Sequence, residues 1–456
     1  VSQPDLSRSR KVHIVGIGGA GMSAIATVLA EMGHEVSGSD LKDGVALERL
    51  RALGVRVAIG HDPANLGGAE FLAISSAIPP ANVEVVGALQ RGITVHRRAE
   101  VLSAISRLRR TIAVSGTHGK TTTSSMLALI LVEAALSPSF IIGGEINEIG
   151  SGAVWDDGEW LVVEADESDG TFLELQYEIA VLTSIEPDHL DHYGSFESLG
   201  SAFGRFLAAA SSGAVVCSDY AVAARLAPPG ARTYGFGAEA TWRITHFSGG
   251  RSDVSFDLRS ASGDETALSL PVPGRHNALN AAGAAVAAVA VGVELDVARR
   301  ALARFGGVAR RFEFRGEAMG ATLVDDYAHL PGEVTAALAT ARRGGWRRVV
   351  CVFQPHRYSR IAALAGDFAD AFVDADELVV TDVYGAGEQP RPGVSGKLVV
   401  DAVLAAHPEA AVSYLAQRAE LVEYLRRTLG PGDCCLTLGA GDLTSLAGDL
   451  LAGSAG

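Results

Sequence analysis

Short runs of Val, Ile and Leu alternate with longer Ala- and Leu-rich stretches along the whole chain, and this alternation limits the fold more than any other feature. Lys11 to Val15 reads as a strand, the stretch through Met32 as a helix, and His34 to Ser39 as the next strand. Strands separated by helices are βαβ units, and βαβ units build parallel sheets. The series continues in Glu70 to Ser75 and Gly92 to Val95. A second series starts at Thr111 to Gly116 and runs through Trp160 to Glu164 and Ile179 to Ser184. A third starts at Ala321 to Asp326, with further strands at Arg348 to Phe353, Glu377 to Asp382 and Cys434 to Gly439. At roughly 150 residues per domain, a chain of 456 residues holds about three. The expectation is three tandem α/β domains, Rossmann-like, phosphate-loop type and Rossmann-like, over 1–108, 109–315 and 316–456.

Composition removes several function classes. The net charge is −15, from 53 acidic and 38 basic residues, which argues against a nucleic-acid binder because phosphate contacts need basic surface. Anionic ligands must then be held locally, by loops and helix N-termini. The four cysteines (Cys217, Cys351, Cys434, Cys435) lack metal-ligand spacing, and the adjacent pair reads as part of a buried strand; a reduced, cytosolic setting fits. Ser7 to Lys11, ahead of an apolar stretch to Ala30, imitates a targeting signal, but its glycines are spaced for a turn and no cleavage site follows. The Ala-rich run Ala281 to Val293 is too short to span a bilayer and reads as a buried helix.

Three strand-end loops carry chemistry. Gly16 to Gly21 spell G-I-G-G-A-G between a strand and a helix, and Asp40 ends the next strand. Such a loop brings backbone close to a diphosphate at a helix N-terminus, so a nicotinamide or flavin, another diphosphate, or a plain turn all remain open. Ser115 to Thr123 spell S-G-T-H-G-K-T-T-T, a shortened phosphate loop because Val114 stands where a longer one has glycine. In such a loop backbone N–H groups wrap the phosphates, Lys120 reaches the β/γ oxygens and Thr121 ligates Mg²⁺. Glu164 and His189 each lie just past a strand, where open α/β sheets bind ligands, and a carboxylate there can share a hard cation with a loop threonine. Arg357 and Arg360, three apart at a helix start, can grip a carboxylate, or form a surface ion-pair face.

Taken together, G-T-H-G-K-T-T-T, E-A-D-E-S-D (Glu164 to Asp169), H-N-A-L-N-A from His276, R-R-F-E from Arg310, D-D-Y from Asp325, Q-P-H-R-Y from Gln354 and G-A-G-D from Gly439 resemble the Mur ligase family over nearly the whole chain. G-I-G-G-A-G-M, Ser75 to Ile78 and Arg98 to Glu100 are similar to the branch that adds L-alanine to UDP-N-acetylmuramate. The resemblance implies ATP-dependent ligation through an acyl phosphate, with ATP and two Mg²⁺ ions. It places the UDP-substrate on Gly16, Gly18, Gly19, Gly21 and Met22, with Asp40, His61 and Ser75 nearby. ATP would lie on Gly116, Thr117, His118, Gly119, Lys120, Thr121 and Thr122, with His276, Asn277, Arg310 and Asp326. Metal ligands would be Thr121, Glu164 and His189, and the amino-acid site Tyr327, His329, His356, Arg357 and Arg360. Lys120, Glu164, His189, His329 and Arg357 are the implied catalytic set. The partners implied are small molecules, with no nucleic acid and no membrane insertion.

Two positions depart from the family pattern: Ser184 stands for a usual Asn, and Leu330 for the second residue of a His-His pair. Leu330 precedes Pro331, so the segment should stay extended, with Tyr327 and His329 on one face and Leu330 packing on the other. The competing readings are a sister ligase that adds another residue or a salvaged tripeptide, a nicotinamide-dependent oxidoreductase, and a silent nucleotide sensor. The first glycine loop argues against the tripeptide enzyme. No lysine stands near Asp188-His189 to serve as the carbamylated residue of later-step ligases, and an oxidoreductase leaves the G-K-T loop idle.

Overall fold

The computed structural model describes residues 3–75 and 77–452, apart from the side chain of Asp191. Ser76, inside the Ser75 to Ile78 motif, and the tail beyond Ala452 lie outside the described residues. Three sheets form, one for each series.

The first has strands β1 (Lys11–Val15), β2 (Glu35–Asp40), β3 (Arg56–Ile59), β4 (Phe71–Ile74) and β5 (Thr94–Arg97), in the order β3-β2-β1-β4-β5, all parallel. The chain winds outward from β1 to β3 and then returns to β4 on the other side. That reversal opens a crevice at the C-terminal ends of β1 and β4, where such sheets bind ligands.

The second contains β6 (Arg110–Ser115), β7 (Ser139–Ile146), β8 (Ser151–Val154), β9 (Trp160–Glu164), β10 (Ile179–Leu182), β11 (Gly213–Cys217), β12 (Arg232–Gly235), β13 (Trp242–Gly249), β14 (Val254–Ser260) and β15 (Glu265–Leu270). Its order is β15-β14-β13-β12-β11-β10-β6-β9-β7-β8, and β8 runs antiparallel to β7. The central strands β6, β9 and β10 are buried almost along their length, as parallel strands covered on both faces must be. The helix Lys120–Glu133 follows β6 and buries Thr121 through Leu131.

The third has β16 (Glu313–Ala318), β17 (Ala321–Asp326), β18 (Arg348–Phe353), β19 (Glu377–Val380), β20 (Val412–Tyr414) and β21 (Asp433–Leu438), ordered β16-β17-β21-β18-β19-β20. Only the edge strand β16 is antiparallel to its neighbour. Cys434 and Cys435 sit in the fully buried β21, as expected, and all four cysteines are buried and unbridged. Ala281 to Ala290 of the Ala-rich run lie in the helix Arg275–Ala290, which ends three residues short of Val293, and no helix of the described residues is long and apolar enough to cross a membrane.

The chain divides into two compact units, the first comprising residues up to His246, Phe256–Ser269 and Ala278–Gly306, the second Phe247–Ser255, Leu270–Asn277 and the residues from Gly307 onward. The two glycine-rich loops belong to the first, and the Tyr327 to Arg360 motifs to the second.

Candidate functional site

In the first unit, the loop after β1 hangs from β2. The N–H groups of Gly16 and Ile17 donate to the Ser39 carbonyl at 2.8 and 3.1 Å, and Gly18 N–H donates to Asp40 at 2.9 Å. Asp40 thus shapes the loop directly. Gly16, Gly18, Gly19, Asp40, His61 and Ser75 line one cleft of about 510 Å³, with Lys42 and Ile78. Two expected members fall elsewhere. Met22 packs in the core at 2 % exposure, and Gly21 borders a smaller cleft of about 180 Å³ with Arg98, Glu164 and Asp166. Their side of the turn is where the helix Ala20–Glu31 starts, and a helix start turns part of each turn inward.

The loop after β6 is built on Gly116, whose φ of +139° only glycine tolerates. Thr117 N–H donates to the Ser184 carbonyl at 3.1 Å, and His118 N–H to the Ser184 hydroxyl at 2.8 Å. The short side chain at 184 therefore still ties the loop to the end of β10. Thr117 and Glu186 exchange hydroxyl and backbone hydrogen bonds, and His118 Nε2 lies 3.1 Å from the Glu186 carboxylate. Gly119 ends the loop beside the Asn280 amide, and Lys120, Thr121 and Thr122 form the first turn of the following helix.

Lys120 Nζ donates to the carbonyls of Gly116 and Thr117 at 2.6 and 3.3 Å and to the Glu167 carboxylate at 2.9 Å. Burial alone would lower the lysine's pKa, but Glu167, Asp166 and Glu164 outweigh it and hold the ammonium charged. Burial pushes Glu167 up, and Lys120 opposes that. Thr121 Oγ1 donates to Glu164 Oε1 at 2.9 Å, while Glu164 Oε2 accepts from Gly143 N–H at 2.6 Å. Two hard oxygen ligands are thus side by side at a loop whose neighbours are acidic, a donor set that fits Mg²⁺. His189, in a left-handed conformation at φ +52°, has Nε2 3.1 Å from Asp188 and 3.8 Å from Glu167. Glu167 and Asn280 are the residues the sequence reading passed over. Both sit inside motifs it quoted, and the demand of a buried lysine for a counterion was the available signal.

In the second unit, Asp326 ends β17 and clamps two motifs together. Its carboxylate accepts from Phe312 N–H and Ala328 N–H, each at 2.7 Å. Burial pushes its pKa up to about 6, against the pull of Arg311. Arg310 donates to the Gly439 carbonyl at 2.6 Å and lies 4.9 Å over the Tyr327 ring. Burial pushes His276 down to about 4, with Arg311 adding to the effect, and the Asn277 amide donates to the Pro273 carbonyl at 2.7 Å. Tyr327, His329 and His356 form a chain of ring contacts at 5.4 and 5.5 Å, and Arg360 Nη1 is 3.1 Å from His356 Nδ1. Burial, with His329 and the nearby arginines, pushes His356 down to about 3, so it is neutral near pH 7. The helical pairing expected of Arg357 and Arg360 is corrected here. Arg357 caps the helix Tyr358–Leu364, its carbonyl accepting from Ile361 N–H at 3.1 Å, but its φ of +66° is not helical, so its side chain does not leave the backbone as a residue inside the first turn would.

Tyr327 and His329 are partly exposed while Ala328 and Leu330 are buried, the alternation an extended segment requires. Leu330, at 3 % exposure, packs in the core and precedes the helix Pro331–Arg343. Leu330→His is therefore expected to change kcat/KM for the amino-acid substrate by less than about tenfold, roughly 1.4 kcal/mol. His329→Ala should cost more. Steady-state kinetics on both variants decides this, and a nearly inert parent rescued by Leu330→His would refute it.

Comparison with known proteins covers all three series. Family models described as "Mur ligase family, catalytic domain", "Mur ligase middle domain" and "Mur ligase, glutamate ligase domain" match residues 11–110, 114–288 and 310–441. A UDP-N-acetylmuramate--L-alanine ligase of Anaeromyxobacter sp. (strain Fw109-5) is 44 % identical over 451 residues, 98 % of either chain. One of Rubrobacter xylanophilus is 47 % identical over 452 residues, 97 % of this chain and 99 % of that one. The crystal structure of UDP-N-acetylmuramate-alanine ligase from Thermotoga maritima superposes with a TM-score of 0.83 at 28 % identity, covering 97 % of this chain and 98 % of that one. Matched in each of its three α/β segments and over nearly its full length, the chain belongs to the Mur ligase family.

Proposed function

We propose that this chain joins L-alanine to the lactyl carboxylate of UDP-N-acetylmuramate, consuming ATP and releasing ADP and phosphate. The near full-length identity to ligases of that name carries the reading. The loop chemistry agrees with it: a charged Lys120 beside the Thr121–Glu164 oxygen pair suits phosphoryl transfer, and the Tyr327–His329–His356–Arg360 cluster suits a small zwitterion. The domains divide near residues 108 and 315, and the reaction belongs to the cytoplasm.

The first cleft takes the UDP part of the substrate through Gly16, Gly18, Gly19, Asp40, His61 and Ser75. The loop from Gly116 to Thr122 takes the phosphates of ATP, and His276, Asn277, Arg310 and Asp326 serve the nucleotide. Thr121 and Glu164 would hold one Mg²⁺ and His189 a second, which would supply positive charge against the transferring phosphoryl group. The lactyl carboxylate attacks the γ-phosphorus and ADP leaves, giving an acyl phosphate. Lys120 counters the charge on the equatorial oxygens, an electrostatic contribution made before the reaction begins. The neutral amine of L-alanine, its carboxylate held by Arg357 and Arg360, then attacks the acyl carbon; the C–N bond forms as the acyl–phosphate C–O bond breaks, and the departing phosphate takes up the proton that nitrogen releases. His329 packs edge-on against His356, which is in turn 3.1 Å from Arg360, so it belongs with this amino-acid cluster.

Phosphate release with UDP-N-acetylmuramate, ATP and a panel of amines tests the proposal. L-alanine, L-serine and glycine should react, with changes of one methyl altering kcat/KM by about 10–200-fold. Alanine amide should not, because it leaves the arginines without their anion. Equal turnover of amide and acid would remove the arginine role, and turnover only with a preformed tripeptide would favour a sister ligase.

A further inference from the structure

Below the first cleft lies a carboxylate with no expected role. Glu84, on the helix Val83–Gln90, is fully buried at 0 % exposure. A buried carboxylate is costly unless donors surround it, and this one is surrounded. Oε1 accepts from the Asn65 amide at 2.7 Å and from Asp62 N–H at 3.2 Å, and Oε2 accepts from the Ser39 hydroxyl at 2.5 Å. His13 Nε2 stands 3.7 Å from Oε1 and His61 Nδ1 3.2 Å from Oε2. Burial would raise its pKa, but the nearby His13 ring and the hydrogen bonds from Ser39, Asn65 and Asp62 win and hold it down at about 2. Glu84 is therefore an anion at any working pH.

The Ser39 hydroxyl has one hydrogen, and it goes to Glu84. Toward His61 Nδ1, 3.0 Å away, Ser39 can only accept. Both neighbours of Nδ1 are then acceptors, so that nitrogen must carry a proton. Nε2, on the opposite edge of a ring that lines the cleft, is left to the ligand. We propose that Glu84 is a positioning residue that, with Ser39, fixes His61 as its Nδ1–H tautomer, so that Nε2 meets the bound nucleotide as a hydrogen-bond acceptor. In this form His61 selects a donor, either the uracil imide N–H or a ribose hydroxyl. Its place favours the nucleoside end: β3 is the outermost strand on the Asp40 side, and His61 follows it directly. The other titratable groups near the ring are Asp62 on its own segment, Asp40, Lys42 and Asp43 lining the same cleft, and His13 on β1 beside Glu84. The inference rests on the proposal that this cleft binds UDP.

Nitrogen-15 correlation spectra of the histidine rings in the full-length protein test the tautomer without any substitution. His61, assigned by its loss in His61→Gln, should show Nδ1 protonated; an Nε2–H form in the free protein would overturn the assignment. Calorimetric binding of UDP, 3-methyl-UDP and 2′,3′-dideoxy-UDP then reads its consequence. The parent should lose about tenfold in affinity for one of the two analogues. Glu84→Gln, whose amide can donate to Nδ1 and so reverse the ring, should bind UDP about tenfold more weakly and treat that analogue like UDP. With ATP saturating, its KM for the UDP-substrate should rise while kcat changes less than twofold. Analogue selectivity kept in Glu84→Gln, or its absence in the parent, would sink the proposal. Failure of the parent to bind UDP at all would instead remove the reading of the cleft.

Discussion

Lys120→Ala is expected to lower kcat at least about 100-fold, or roughly 2.7 kcal/mol, with the α/β fold retained. The lysine lies in the first turn after the phosphate loop, and its ammonium is already fixed by two loop carbonyls and Glu167. Once a phosphate has replaced Glu167 as its anionic partner, an ammonium anchored by the loop carbonyls needs little further reorganisation when charge develops on the phosphoryl oxygens, and alanine supplies nothing in its place. The substitution also strands Glu167, a carboxylate at 1 % exposure. Removing one partner of a buried pair is costly, so the melting temperature should fall, and Glu167 should take up a proton. The double variant Lys120→Ala/Glu167→Gln should recover much of that stability and none of the activity. Circular dichroism, thermal melting and phosphate release separate the two effects. Near-normal turnover of Lys120→Ala would sink the phosphate-loop assignment.

Gly116→Ala should be nearly as damaging by a different route. A methyl there would run into the Thr183 hydroxyl and come within 2.8 Å of Ser184 N and 2.9 Å of Ser184 O, the carbonyl that receives Thr117 N–H. Backbone cannot yield as a flexible side chain can, so the loop must move off the end of β10. Its φ of +139° adds conformational strain. Turnover should drop by at least about 100-fold, because the N–H groups of the loop lose their common focus. Gly33→Ala is the control: φ is +85°, but no atom lies within 4 Å of the added carbon. Strain of about 1–2 kcal/mol should appear there as a lower melting temperature with unchanged kcat. Equal loss of activity in both would mean that general strain, and not loop geometry, governs turnover.

These two residues also mark what the sequence makes legible. A loop that needs left-handed backbone and close contact declares itself through glycine, so both strand-to-helix loops were readable. The runs that became β6, β9, β10, β17, β18 and β21 were readable because strands buried on both faces are continuously apolar. β14 was missed because only alternate residues are buried along Val254–Ser260, a weaker signal among polar neighbours. The Lys120–Glu167 pair was missed because its members are 47 residues apart and only the β6–β9 pairing brings them together. The helical relation assigned to Arg357 and Arg360 failed because spacing cannot reveal a left-handed residue ahead of a helix. Met22 and Gly21 completed a motif on paper, yet the first turn of their helix directs one into the core and the other toward Arg98.

The Lys120–Glu167 contact makes the carboxylate a built-in rival of every phosphate that reaches this loop. Any affinity measured there is a difference between two ion pairs, one gained and one surrendered. Singly charged anions such as chloride or acetate should scarcely compete with ATP, since they offer Lys120 little more than it already has. A polyphosphate bearing its own divalent ion gives the lysine more charge and also answers Glu164 and Asp166, which would otherwise repel it. If this loop binds ATP as proposed, discrimination against the abundant simple anions of a cell would be set by an intramolecular exchange of partners at Lys120.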